Sequence, residues 1–353
     1  MKILQKYITI NLVWATLVTL FALVSLFSFF SIINQLEQTG QGNYNVFQVL
    51  LYVLLTVPRL AYELFPIAAV IGSMVTLGVL AQNSELAVIR TSGVSRLDLA
   101  LLLSKSAMII IIIAILIGEF VAPISEESAQ QRRSIALSGQ ITMKAKHGYW
   151  TKDENSYINI RKVLPDNKVE NVYIYEFDKQ NRLRASLHAR QGEYEDKLWH
   201  LKDVDQTRFV LDGVEIEHLQ QASWESLLDP EMINYMVIKP QYLTLCGLTK
   251  HIEFLRENAQ ETIQHEQALW TKLVKPFSIL AMVLLAVLLV DSNSRFTPVG
   301  HRVFFGAATG VLFHICSQTA GHMSIVYFIP PSVSVTIPTI LLLTVISYFL
   351  CRQ

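Results

Sequence analysis

Charge is scarce in this 353-residue chain. Only 16% of its residues are Asp, Glu, Lys or Arg, against roughly 25% in an ordinary soluble domain. With 52% apolar residues, that shortage excludes a disordered chain and a nucleic-acid-binding class, and it argues against a wholly soluble enzyme. The 29 basic and 29 acidic residues cancel, so no net charge attracts a partner of either sign. Cysteine is nearly missing. Cys246, Cys316 and Cys351 are scattered and odd in number, without metal-type spacing, which argues against a disulfide framework. The chain contains no P-loop, Rossmann glycine fingerprint, H-E-x-x-H helix or nucleophile elbow. If its work needs a nucleotide, the nucleotide site belongs to another chain.

What charge there is sits in one place. Residues 124–272 hold 19 basic and 23 acidic residues, and the other 204 residues share 10 and 6. The chain therefore divides into apolar ends and a polar middle: 1–123, 124–272 and 273–353. A bilayer core needs about 20 apolar residues as helix. Ile8–Ile33 carries no Lys, Arg, Asp or Glu and is too long for a signal-peptide core. The run Phe47–Leu80 exceeds one span, and Pro58 and Pro66 predict a break, leaving Leu64–Leu80 in the membrane behind an interfacial segment. Further spans fall at Leu97–Val121, Leu273–Val290, Val303–Gly321 and Tyr327–Leu350. Six spans place both termini on one side. Lys2, Lys6, Arg90, Arg96, Arg295, Arg302 and Arg352 all fall on that side, while the opposite connections, Asn34–Val46 and His322–Val326, have no Lys or Arg. The positive-inside rule makes the termini cytoplasmic and puts residues 124–272 across the membrane.

The polar middle alternates with a period of two. Tyr157–Arg161, Val172–Phe177, Leu183–Ala189, Lys197–Leu201, Thr207–Leu211 and Gly213–Glu217 read as short strands, with turns at Pro165–Lys168 and Asp178–Asn181. That pattern predicts a β-sandwich or jelly roll. Ser125–Gly139 continues the third span as helix, and Leu248–Trp270 reads as one polar helix returning to the membrane.

Few residues stand out for function. Ala81–Leu97 is a cytoplasmic connection in which Ser84 is placed to cap a short helix from Glu85 that Gly93 ends, the whole helix lying within about 82–93. Glu85 offers an acceptor-only carboxylate to a partner's Arg or Lys; the plainer reading is a solvated loop. His314, Gln318 and His322 repeat at i, i+4 and i+8 on one face, either lining a cavity or bonding to a neighbouring helix. The two histidines are about 12 Å apart by helical rise and cannot share a metal. Arg59 and Glu63 pair at i, i+4 before Pro66. Arg59, with Arg132 and Arg133 beyond the third span, suits a phosphorylated amphiphile, or else solvated surface. Lys272 and Lys275 read as snorkelling lysines.

A set of motifs then carries a resemblance over nearly the whole chain: Gln35-Leu-Glu-Gln-Thr-Gly-Gln-Gly-Asn-Tyr, Leu80-Ala-Gln-Asn-Ser-Glu-Leu with Ser92-Gly93, Gly118-Glu-Phe-Val-Ala-Pro, Gly148-Tyr-Trp-Thr-Lys-Asp-Glu-Asn-Ser-Tyr-Ile-Asn-Ile, and Ile329-Pro-Pro. The chain resembles the lipopolysaccharide export permeases of the LptF/LptG family, and its LptG type more than its LptF type. The resemblance implies a six-helix membrane protein of the Gram-negative inner membrane with an inserted periplasmic β-jelly roll. It also implies a heterodimer with an LptF-type permease on two copies of an LptB-type ATPase, which binds the ATP and Mg, with no cofactor or metal in this chain. An LptC-type protein and a periplasmic LptA-type bridge would receive the lipopolysaccharide. Glu85, Arg90 and Gly93 match the ATPase-docking helix. Arg59 and Arg133, with Arg132 beside it, match basic positions facing lipid phosphates. The first and fifth spans match lateral gates, where Leu26, Phe304, His314 and Gln318 fall. Basic positions of the family are replaced here at Ser31, Glu37, Gln38 and Gln130. Two other classes remain open from the residues alone, a membrane-embedded lipid-modifying enzyme and a structural envelope scaffold.

Overall fold

The computed structural model describes residues 2–138, 143–153, 155–164, 168–178, 180, 182, 183–195, 198–210, 213–224, 230, 232, 239–290 and 298–352. Arg295 and the Pro165–Asn167 part of the expected turn lie outside them. The chain separates into two compact units, residues 1–34, 53–126 and 263–353, and residues 35–52 and 127–262.

The first unit is helical. In chain order, over both units, the helices are α1 (Lys2–Leu36), α2 (Val46–Gln82), α3 (Glu85–Thr91), α4 (Arg96–Leu116), a π-helical turn (Ile117–Val121), α5 (Ala122–Ser138), and, after the strands, α6 (Leu245–Glu257), α7 (Ile263–Leu289), α8 (Val299–Tyr327) and α9 (Pro331–Arg352), with α6 and α5 from residue 127 in the second unit. Six of these stretches are long and apolar enough to cross a membrane. The core forms where α2, α4 and α7 meet, around Phe65, Leu77, Leu103, Ile110 and Met282. The outer faces of α1 and α8 stay apolar and exposed, at Phe21, Leu26, Phe30, Phe304 and Leu312 among others.

Four boundaries differ from the sequence reading. Pro58 and Pro66 do not break α2, which runs 37 residues as one helix. Each proline removes one backbone hydrogen bond, and the close packing of Leu64 through Met74 holds the helix together around the gaps. Leu248–Trp270 is two helices, because the chain turns at Asn258 and Ala259, the latter with φ +51°. Tyr327 closes α8 instead of opening the sixth span. Phe328 takes a left-handed φ of +55°, and Pro331 starts α9 where its missing N–H costs nothing. Ser84 does not cap α3: its φ is +62° and its side chain makes no capping bond.

The α1 helix is seated by close contact. Its Gln5 Nε2 donates to the Leu102 carbonyl and to Ser106 Oγ, both at 3.0 Å, and the Thr9 and Ser106 hydroxyls are 2.7 Å apart. At Gly72 the backbones of α1 and α2 nearly touch, since a Cβ there would stand 2.7 Å from the Thr16 N and Cα. Gly72→Ala is therefore expected to destabilise the detergent-solubilised protein by about 1–3 kcal/mol. Gly300→Ala, a helical position with open space around it, should be neutral or stabilising. Thermal unfolding of both variants checks this, and equal melting would sink the close-contact argument.

The second unit holds a six-stranded antiparallel sheet in the order β1 to β6: β1 (Met143–Asp153), β2 (Ser156–Leu164), β3 (Lys168–Phe177), β4 (Leu183–Glu195), β5 (Leu198–Val210) and β6 (Gly213–Trp224). The inserted all-β domain is present, with Ile158, Ile174, Ala189, Trp199, Leu201 and Val204 facing its core, closed in part by Phe254 and Leu255 of α6. The stretches 197–201 and 207–211 are not separate strands. Residues 198–201 and 207–210 belong to the single strand β5, while Lys197 and Leu211 lie outside the described residues, and Asp203 accounts for the apparent break. Its φ of +57° flips the alternation, so that Leu201 and Val204, three apart, face the same core. Asn171, φ +53°, does the same between Val169 and Val172. On the other face, Asp205 bonds His218 Nδ1 at 2.8 Å, which raises the imidazole above the usual histidine range and lowers the carboxyl.

Candidate functional site

Three groups of residues are placed by this framework. The first is α3. Leu86 and Ile89 are buried and fix the helix to the membrane unit, so Val88, Thr91, Ser92 and Gly93 face outward. Glu85 opens the helix. Its Oε1 accepts from Asn83 Nδ2 at 3.2 Å, and its charge acts on Tyr7 of α1. Arg90 lies half-buried in the last turn. Gly93, at φ +91°, ends the element and bonds back to the Arg90 carbonyl at 3.1 Å. The outward face is short and combines one carboxylate with small and β-branched side chains.

The second group lies where α2, α5, α7 and the π turn meet. Arg59 binds two carboxylates at once, with Nη1 2.8 Å from Glu63 and Nε 3.0 Å from Glu126, whose side chain is 2% exposed. Lys272 does not snorkel. Its Nζ is buried against Glu119 at 2.8 Å and the Gly118 carbonyl at 3.4 Å. Lys275 Nζ lies 3.3 Å from the Glu63 carbonyl and 5.0 Å from the centre of the Tyr62 ring. Glu126 and Tyr62 belong to no motif, and Glu119, inside the Gly118-Glu-Phe-Val-Ala-Pro motif, shows no partner in the sequence. A carboxylate in one apolar span and a lysine in another was the one available signal. His314, Gln318 and His322 are all exposed along α8, as are Leu26 on α1 and Phe304 on α8.

The third group is in the second unit. Arg133, half-buried on α5, donates from Nη2 to Gln38 Oε1 at 2.8 Å and lies 5.2 Å over the Tyr52 ring. Gln130 Nε2 donates to the Tyr52 hydroxyl at 3.3 Å. Gln38 and Gln130 thus both join the Arg133–Tyr52 pair. Arg132 points to solvent. Tyr44, fully buried nearby in sequence, has its phenol pushed up by burial.

A long apolar helix set interrupted by a β domain, with charges gathered at particular helix crossings, is an arrangement that whole-chain comparison can place. The family described as "Lipopolysaccharide export system permease LptF/LptG" matches residues 6–352. The chain belongs to this family. It is 32% identical over 352 residues to the lipopolysaccharide export system permease protein LptG of Haemophilus influenzae, covering 99% of this chain and 98% of that one. It is 31% identical over 318 residues to LptG of Escherichia coli K12, covering 89% and 88%. A member of the LptF/LptG family with six apolar helices is a multi-pass membrane protein and a transport subunit, so the lipid-modifying enzyme falls away. The resemblance drawn from the motifs is the family the whole chain matches.

Proposed function

We propose that this permease is the LptG-type subunit of a transporter that extracts lipopolysaccharide from the inner membrane and passes it to a periplasmic bridge. The observation that carries the reading is the match to the LptF/LptG family over residues 6–352 together with 32% identity over 352 residues to LptG of Haemophilus influenzae. In this reading the termini are cytoplasmic, residues 124–272 are periplasmic, and the partners are an LptF-type permease, two LptB-type ATPases holding ATP and Mg, an LptC-type protein and an LptA-type bridge. The face of α3 around Glu85, Arg90 and Gly93 docks the ATPase. Closure of the ATPase pair pushes α3, and Leu86 and Ile89, buried beneath it, carry the push to the membrane unit. The exposed apolar faces at Leu26 and Phe304 line the gates and contact acyl chains. Such chains do not enter water unaided, at about 0.8 kcal/mol per CH₂, so they need the apolar route this chain supplies. Arg59, Arg132 and Arg133 lie on the phosphate side of the cargo.

Affinity purification of the tagged chain in mild detergent tests this. A second permease and a nucleotide-binding subunit are expected in stoichiometric amount, and the reconstituted complex should release lipopolysaccharide only with ATP. A chain that purifies alone, or a complex whose lipid release ignores ATP, would overturn the assignment.

A further inference from the structure

One irregularity crosses the whole sheet of the β domain. On each of β2 to β6, two core-facing residues stand three apart where regular alternation would give two: Ile160 and Val163, Val169 and Val172, Ala189 and Gly192, Leu201 and Val204, Leu219 and Ala222. The pairing lays these out in two rows. Ile160, Val172, Ala189, Val204 and Leu219 are partners from strand to strand, and so are Val163, Val169, Gly192, Leu201 and Ala222. Between the rows lie Arg161, Asn171, Arg190, Asp203 and Gln220. All four ladders pass over this level without a pair and keep one register on both sides of it. Strand β1 meets the same line through a bulge, where its register against β2 shifts between Lys144 and Tyr149, opposite Arg161.

The residue types on the line suit a bend. Gly148, Asn171 and Asp203, on β1, β3 and β5, have φ of +76°, +53° and +57°. Glycine, asparagine and aspartate enter the left-handed region most readily. One such residue would be a local adjustment. Aligned on alternate strands, they crease the sheet into two regular halves, and hinges form where a few residues absorb the dihedral change. The outer side of the crease is polar and open, with Arg161, Arg190 and Gln220 exposed. Arg190 pairs with Asp203 along the line, at 3.0 Å. Lys168 and Lys202 pair with Glu193 inside one half, and His218 with Asp205 inside the other. None of these contacts ties one half to the other.

We infer that this crease is a hinge: the two halves of the β domain change their angle along the line from Arg161 to Gln220 as acyl chains enter and leave its apolar face. The acyl chains rest on the export reading above, and the hinge rests on the sheet.

Spin labels on the assembled complex in nanodiscs test it, in a chain with Cys246, Cys316 and Cys351 replaced by serine. Arg184→Cys with Glu195→Cys places labels at exposed sites of β4 on opposite sides of the crease. Lys168→Cys with Ser223→Cys places them at exposed sites within one half. Bisphosphorylated lipid A is expected to shift the first distance and leave the second unchanged. A bend of about 20° moves the first by about 3 Å, given arms of roughly five and six residues at about 3.3 Å each. Asp203→Gly keeps the left-handed backbone without steric cost and removes the Arg190 contact, so it should widen the first distance distribution with or without lipid. Asp203→Val, which disfavours that backbone, should narrow it, and the glycine variant decides if the valine variant misfolds. Equal shifts in both label pairs, or an unchanged distribution in Asp203→Gly, overturns the hinge. A widened distribution in Asp203→Gly with no shift on adding lipid A keeps the hinge and overturns acyl chains as what moves it. A wild-type complex that binds no lipid A counts against the export reading, and the width of the Asp203→Gly distribution still decides the hinge.

Discussion

Glu85→Arg is expected to prevent assembly with the ATPase and, with it, ATP-driven lipid release. Leu86 and Ile89 anchor α3 from beneath, so a substitution at Glu85 leaves the helix in place and changes what it presents. An ionised carboxylate makes the stronger, charge-assisted kind of hydrogen bond to a partner's Arg or Lys. Removing one member of such a pair at an interface costs about 2–5 kcal/mol, and reversing its sign adds repulsion. Affinity for the ATPase should therefore fall roughly 30-fold or more. The same substitution reverses the charge that acts on Tyr7, so two effects are separated with a second variant. Tyr7→Phe keeps the carboxylate and removes only the hydroxyl its charge acts on. It should assemble normally and hydrolyse ATP. Pull-down of the ATPase, its hydrolysis rate and lipid release measured side by side distinguish the two variants. An intact complex with Glu85→Arg would show that α3 docks through other groups.

The sequence exposes those features that depend on composition over a whole turn or more. A 26-residue run without charge, Ile8–Ile33, can only be a buried or membrane helix, and α1 follows it. The β domain shows in the alternation around Tyr157–Arg161 and Val172–Phe177. Where a single residue changes the backbone, the pattern misleads. Asp203 and Asn171 each flip a strand's faces through a positive φ, so β5 looked like two strands. Ala259 splits a helix that hydropathy joins. The candidate sites divide in the same way. Pairs on one helix, Arg59 with Glu63 and His314 with Gln318, are readable from their spacing. Partners on other helices, Glu126 for Arg59 and Lys272 for Glu119, depend on tertiary packing that local spacing does not encode.

Lys272→Met should produce the largest loss of stability of any single change in the membrane unit. Lys272 is buried and Glu119 largely so, with side chains 6% and 18% exposed, and they lie 2.8 Å apart. Removing one member of a buried pair costs about 3–5 kcal/mol because the other charge is left uncompensated. Glu119 also sits inside the π turn Ile117–Val121, where Gly118 packs so closely on Tyr62 that any side chain there would collide with the ring. A π turn holds one more residue than the α-helix it interrupts. If it relaxes, everything beyond turns by about 100°, the angle per residue of an α-helix. Glu126, five residues past Val121, would then swing away from Arg59. The ion pair thus fixes a register on which a second ion pair depends. Lys272→Met with Glu119→Gln removes both charges and should recover most of the stability, since neutral replacements of a buried pair are commonly tolerated. Thermal unfolding in detergent compares the single and double variants. If Lys272→Met melts within about 1 kcal/mol of the wild type, or if the double variant is no better than the single, the π turn is held by the packing of Gly118 on Tyr62 rather than by charge.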